Sequence, residues 1–186
     1  MRFESTPISG AYIIHLSPFK DERGMFSRLF CTNEMEQILE KKAVVQINHS
    51  LNKEKGTVRG LHFQYAPFAE VKMIRCLRGK VYDVMVDLRK ESKSFLSWYA
   101  VELSPEANNM VYIPEGCAHG FQTLEDNSEL LYFHTAHYNK ASEGGIRYND
   151  PKLSIKWPLS IKNVSEKDKQ LPVLEDSLVS SMNFIQ

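Results

Sequence analysis

Cysteine is scarce in this chain. Cys31, Cys76 and Cys117 are odd in number and far apart, so they supply neither a disulfide framework nor a zinc-ligand spacing. An excess of one charge is also missing, since 23 Lys and Arg balance 23 Asp and Glu. A net charge of zero argues against a nucleic-acid binder that works through a basic surface, and against a protein held on a membrane by basic residues. No run reaches the roughly 18 apolar residues of a membrane-spanning helix. The first residues include Glu4 and have no apolar stretch of signal-peptide length, so a cytoplasmic protein is expected. Internal repeats and low-complexity tracts are absent. At roughly 100–200 residues per domain, the chain is expected to be one domain over residues 1–186.

What is present is a series of short apolar or alternating runs, rich in Tyr and Phe and separated by turn residues. Strands are expected over residues 11–16, 25–31, 44–48, 57–64, 71–78, 80–88, 95–103, 110–113, 119–124 and 129–138. In residues 80–88, Tyr82, Val84, Val86 and Leu88 alternate with Val81, Asp83, Met85 and Asp87. One face is thus apolar and the other carries two carboxylates. A helix is expected over residues 32–41, with Thr32 as its cap and Met35, Ile38 and Leu39 as its apolar stripe. Residues 52–56 read as a charged loop, and the tail after Pro172 has no strong pattern. Many short strands with Gly, Pro, Asn and Asp between them predict an all-β sandwich or barrel.

The chemistry gathers around histidines. Arg59 and His62 lie three apart on an expected strand, an odd spacing that points them to opposite faces. Gly60 could mark a bulge that re-aims one of them. Lys72 follows on the next strand, and the turn Pro114-Glu-Gly-Cys-Ala118 delivers His119 at a strand start. That Pro-x-Gly-x-x-His spacing resembles the second motif of the cupin jelly rolls, where the histidine binds a metal. A metal set of His62, His119 and Glu70 can be assembled only by ignoring spacing. Without a metal, His62, Lys72, His119, Arg59 and Arg23 make a mainly positive set suited to an anion or an oxyanion, with histidine as the proton carrier.

These residues sit within a larger pattern. The segments are Asp21-Glu-Arg-Gly24, Gln46-Ile-Asn-His-Ser50, Arg59-Gly-Leu-His-Phe-Gln64, Val81-Tyr-Asp-Val84, Val86-Asp-Leu-Arg89, Ile113-Pro-Glu-Gly-Cys-Ala-His-Gly-Phe121, Asn149-Asp-Pro151, Trp157-Pro158 and Ser165-Glu-Lys-Asp168. In order and spacing, over residues 10 to about 172, the sequence resembles the dTDP-4-dehydrorhamnose 3,5-epimerases. The resemblance implies a cupin-like antiparallel jelly roll with one or two short helices. It implies no cofactor, a nucleotide-sugar substrate, and a homodimer formed by exchanged edge strands, which would also cover sheet edges. Residue by residue, it puts the catalytic base on His62, its carboxylate partner on Asp168, the proton donor on Tyr132, and the partner of the C4 carbonyl oxygen on Lys72. Substrate contacts fall on Arg23, Gln46, Asn48, Arg59, His119, Glu143 and Lys167. The aromatic residue that stacks on the nucleotide base falls on Tyr138.

Three positions depart from the family pattern. Arg28 stands where a substrate-contacting glutamate is usual, Glu70 replaces a glutamine, and Phe133 replaces a lysine after Tyr132. The reaction implied is deprotonation and reprotonation through an enolate, inverting C3 and C5 of dTDP-4-dehydro-6-deoxy-D-glucose, as in L-rhamnose nucleotide biosynthesis. The alternatives are a single-centre epimerase of a CDP- or GDP-linked ketosugar, a metal-dependent cupin, and a non-catalytic binding module. The last is disfavoured because binding alone needs no opposed acid and base.

Overall fold

Side chains alternate across a strand, so a strand apolar on both faces must be covered on both. The computed structural model, which describes residues 1–184, meets that demand with three layers of packing. In chain order the elements are β1 (Arg2–Ser5), β2 (Tyr12–His15), β3 (Phe19–Asp21), β4 (Gly24–Phe26), α1 (Thr32–Leu39), β5 (Gln46–Asn52), β6 (Val58–Gln64), β7 (Lys72–Arg78), β8 (Val81–Asp87), β9 (Trp98–Leu103), β10 (Asn109–Ile113), β11 (Cys117–Thr123), β12 (Ser128–His134), β13 (Glu143–Gly145), α2 (Glu166–Lys169) and α3 (Asp176–Ser181).

Two antiparallel sheets face each other. One runs β1-β2-β10-β7-β12-β5 and the other β13-β6-β11-β8-β9, while β3 and β4 pair as a separate hairpin. Between the sheets lie Ile74, Cys76 and Leu130 from the first and Val81, Met85 and Phe121 from the second. The outer face of the first sheet is covered by Met35 and Leu39 of α1, packed against Met73, Met110 and Phe133. The outer face of the second is covered by the C-terminal region, with Leu153, Leu174 and Met182 against Leu61, Val84 and Val86. The jelly-roll architecture expected from the sequence is therefore the one found. Among the described residues, no helix is long and apolar enough to cross a membrane. Burial pushes the Cys76 and Cys117 thiols up to about 11 and about 12, as for cysteines that act as packing residues.

Several local expectations need correction. The helix ends at Leu39, and its N-cap is Cys31, which makes no side-chain capping bond; Thr32 is already helical. Strand structure does not continue from Phe26 to Cys31, begins at Trp98 rather than Phe95, and ends at His134, which leaves Tyr138 in the following loop. β5 runs on to Asn52 because it pairs with β12 along its whole length. The helices number three among the described residues. α3 forms within the tail that showed no strong pattern, and the packing of Leu174, Leu178, Val179 and Met182 on the sheet accounts for it. β8 is buried on both faces, and its carboxylates Asp83 and Asp87 point between the sheets rather than to solvent.

Gly60 carries the bulge. Phe121 pairs with Arg59 but His119 pairs with His62, so two residues of β11 span three of β6. The extra residue returns His62 to the inner face that Arg59 also occupies, and Leu61 and Phe63 stay outside. Gly60 has φ +114, and a Cβ there would lie 2.6 Å from the Gly120 Cα and 2.7 Å from the His119 carbonyl oxygen. Gly60→Ala is expected to cost about 1–3 kcal/mol and to lower the thermal midpoint by about 2–4 °C per kcal/mol. An unchanged melting curve would contradict this account of the bulge.

Candidate active site

The inner faces of the two sheets build the site together. From the first sheet come Asn48 and Ser50 on β5, Lys72 on β7, and Tyr132 and His134 on β12. From the second come Arg59 and His62 on β6 and His119 and Phe121 on β11. These side chains line two adjoining cavities of about 350 and 260 Å³ that share Asn48, His62, Lys72 and His134. The first extends toward Gln46, Gln64, Tyr138 and Glu143, and the second toward Arg59, His119 and Tyr132. A larger cavity of about 880 Å³ opens elsewhere, between Lys42, Arg89 and Phe184, with no histidine in its lining.

His62 is oriented by a carboxylate from the far end of the chain. Its Nε2 lies 2.7 Å from Asp168 Oδ1, and the Gly60 N–H donates to Asp168 Oδ2 at 3.2 Å. Ser165 caps α2 by accepting from the Asp168 N–H at 3.0 Å, which fixes the position of that carboxylate. Burial alone would raise the Asp168 pKa, but hydrogen bonding and charge from His62, with the Gly60 N–H and Ser165, outweigh it and hold the carboxyl below its usual range. The folded value lies below the unfolded one of about 3.9, so Asp168 stabilises the fold above about pH 4 and loses that contribution as pH falls through the lowered value.

Tyr132 faces this pair from the other sheet. Its hydroxyl is 3.0 Å from Ser50 Oγ, and its ring meets His119 edge-on at 6.3 Å. Burial pushes its pKa up to about 12, against a smaller downward pull from the Ser50 hydroxyl. The phenol therefore holds its proton throughout the neutral range. Lys72 donates to the His62 carbonyl at 3.2 Å and lies 3.4 Å from Glu70. His119 Nε2 meets Asp83 Oδ2 at 2.8 Å, with Asp83 wholly buried. Burial raises the Asp83 carboxyl despite the charges of His119 and Lys72. Arg59 Nε donates to Asn52 Oδ1 at 2.6 Å, at the edge of the second cavity.

The outer rim holds the remaining expected contacts. Tyr138 is 56% exposed, which suits a ring open to a stacking partner. Its N–H donates to Gln46 Oε1 at 3.1 Å and its hydroxyl donates to Glu143 at 3.1 Å. Lys167 Nζ lies 2.5 Å from Glu143. Burial opposes ionisation of Glu143, but Lys167 and Tyr138 prevail and lower its pKa. Two positions stand apart. Arg23 lies in the turn between β3 and β4, exposed and paired with Asp21, and lines neither cavity. Arg28 is exposed and paired with Glu34 at 2.6 Å.

The set His62, His119 and Glu70 does not converge. His119 is committed to Asp83 and Glu70 to His134, and among the described residues no three His, Cys, Asp or Glu side chains gather as metal ligands. The sequence reading assigned nothing to His134 and Ser50, which line the site. Both were within reach of a period-two argument, since His134 follows Tyr132 by two and Ser50 follows Asn48 by two.

A histidine oriented by a buried carboxylate and a protonated tyrosine line one cavity of a jelly roll from opposite sheets, an arrangement that fits a jelly-roll isomerase working by proton transfer. The family model described as dTDP-4-dehydrorhamnose 3,5-epimerase matches residues 5–176. The dTDP-4-dehydrorhamnose 3,5-epimerase of Salmonella typhimurium is 42% identical over 177 residues, covering 94% of this chain and 96% of that protein. The crystal structure of the Legionella pneumophila 3,5-epimerase in complex with dTDP-4-keto-L-rhamnose is 35% identical with a TM-score of 0.90, over 100% of this chain and 98% of that one. ChmJ, a 3'-monoepimerase from Streptomyces bikiniensis solved with dTDP-quinovose, is 30% identical with a TM-score of 0.84, over 90% and 85%. This chain belongs to the dTDP-4-dehydrorhamnose 3,5-epimerase family.

Proposed function

We propose that this protein inverts C3 and C5 of dTDP-4-dehydro-6-deoxy-D-glucose to give dTDP-4-dehydro-L-rhamnose in the cytoplasm. The observation that carries this reading is the projection of His62 and Tyr132 from opposite sheets into one lining. The C4 ketone acidifies the C–H bonds at C3 and C5. His62 takes one proton, and the bonding pair moves onto the C4 oxygen as an enolate. Asp168 stabilises the imidazolium, as the carboxylate does in base-and-orienter pairs. Lys72 supplies the positive partner of the enolate oxygen. Tyr132 then gives its proton to the opposite face of the carbon, which inverts the centre. Solvent takes the proton from His62 and restores that of Tyr132, so the product is an isomer with no net change in composition.

Gln46, Tyr138, Glu143 and Lys167 form the nucleotide side in this reading, with the base stacked on Tyr138. A second reading, inversion at C3 alone, is supported by the likeness to ChmJ. Proton NMR of the product from dTDP-4-dehydro-6-deoxy-D-glucose separates them. Inversion at both centres is the expected result, inversion at C3 alone favours the second reading, and unchanged substrate contradicts both.

The protein is inferred to act as a homodimer. Phe19 and Phe26 on the β3–β4 hairpin are 77% and 71% exposed, and the hairpin also carries Arg23. Apolar exposure on that scale suits a second copy of the chain as its cover. Sedimentation at micromolar concentration is expected to give twice the chain mass of 21.4 kDa, and a monomer would refute the inference.

A further inference from the structure

Glu70 and His134 form a buried pair inside the site that the proposed mechanism does not use. His134 Nδ1 lies 2.7 Å from Glu70 Oε2, and both side chains are about nine-tenths buried, at 11% and 8% exposure. The other ring nitrogen, Nε2, lies 3.3 Å from Asn48 Nδ2. The ring stacks on Tyr132 at 6.2 Å and 21°. His134 borders both cavities, and so does Asn48.

The proton positions on this relay follow from its acceptor end. A carboxylate only accepts, so Nδ1 must carry the hydrogen. Asn48 Nδ2, 3.3 Å from Nε2, can only donate, so Nε2 is the acceptor of that contact. Asn48 borders both cavities, and among the described residues its carbonyl oxygen accepts no hydrogen bond. Lys72 and Arg59 bring only donors to this lining. Asn48 adds an acceptor.

We infer that His134 is a positioning residue, locked by Glu70, which turns the Asn48 amide so that its oxygen accepts a hydrogen bond from a hydroxyl of the sugar. This rests on the epimerase reading. In a 4-keto-6-deoxyhexose joined through O1, the hydroxyls at C2 and C3 are the sugar ring's only hydrogen-bond donors. An amide turned the other way would offer a second donor and favour a phosphate or carbonyl oxygen instead. The relay thus selects for the sugar and against the diphosphate at this point of the cavity.

The test is a double-variant cycle with steady-state kinetics on dTDP-4-dehydro-6-deoxy-D-glucose and calorimetry with dTDP alone. His134→Phe keeps an aromatic ring on Tyr132 but cannot accept from Asn48. Its KM is expected to rise roughly tenfold, as for loss of one hydrogen bond, with kcat within about threefold and the dTDP Kd unchanged. In an Asn48→Ala background the same change is expected to add nothing, because His134 acts only through Asn48. Glu70→Gln retains an acceptor for the Nδ1 hydrogen and the shape of the site, so it is expected to raise KM by less than His134→Phe does. An unchanged KM in His134→Phe, additive losses in the double variant, or an equal loss of dTDP affinity would each overturn the inference while leaving the epimerase reading intact. A wild-type protein that does not turn over the ketosugar would overturn the epimerase reading itself, and the inference with it.

Discussion

Replacing His62 by Asn is expected to lower epimerisation about 10³-fold, within the range for loss of a general base, or about 4 kcal/mol of barrier. The Asn side chain matches the proximal part of the imidazole but falls short of Asp168 Oδ1, which now bonds His62 Nε2 at 2.7 Å; Asp168 keeps the Gly60 N–H at 3.2 Å. The fold should therefore survive, with a thermal midpoint near that of the wild type. What Asn cannot do is take up a proton at neutral pH. The loss should fall on kcat, since His62 acts on the reacting carbon, and dTDP should bind as before. If His62→Asn epimerised at the wild-type rate, the base would have to be sought elsewhere, with His119 and its Asp83 partner next in line.

Replacing Lys72 by Met should cost about 10²–10³-fold in kcat, the usual effect of removing one donor from a developing oxyanion. Met keeps most of the stem volume and removes the ammonium. Glu70 would lose its neighbour at 3.4 Å but keep the His134 N–H at 2.7 Å, so no carboxylate is left without a hydrogen bond. The expected signature is a lower kcat with little change in the dTDP Kd, because dTDP lacks the ketosugar and its C4 oxygen. A variant that lost nucleotide affinity and kept kcat would show that Lys72 binds phosphate instead.

The sequence carried the scaffold well because strands announce themselves locally. Alternation in residues 81–88 located β8, and apolar residues at Leu61 and Phe63 set the outer face of β6. Gly60, read as a possible bulge, is where the register shifts. Local pattern said less about what covers each face. Alternation gives β8 a polar side, yet Asp83 and Asp87 are buried because a second sheet lies over them. The tail helix α3 is only six residues long, too short for its apolar spacing to stand out.

The site was legible where partners lie close in sequence and lost where they lie far apart. Asn48 and Ser50, or Tyr132 and His134, can be paired by counting in twos. Asp168 lies 106 residues from His62, and nothing in spacing alone joins them. Its pairing entered through family likeness, and the geometry now gives it a physical basis in the Ser165 cap and the Gly60 N–H. The Glu70–His134 pair spans 64 residues and lies outside the expected roles altogether. Arg23 is the reverse case, an expected contact that this chain alone leaves on an exposed hairpin.

In the proposed reaction, protons at two carbons of one ketosugar are exchanged by a base and an acid from opposite sheets. Incubating the protein with dTDP-4-dehydro-6-deoxy-D-glucose in heavy water, followed by mass spectrometry and proton NMR, tests it directly. One deuteron at C3 and one at C5 in the product are expected, with incorporation at both positions suppressed in His62→Asn. Product free of deuterium at both carbons, or incorporation that persists undiminished in His62→Asn, would contradict the proposed reaction.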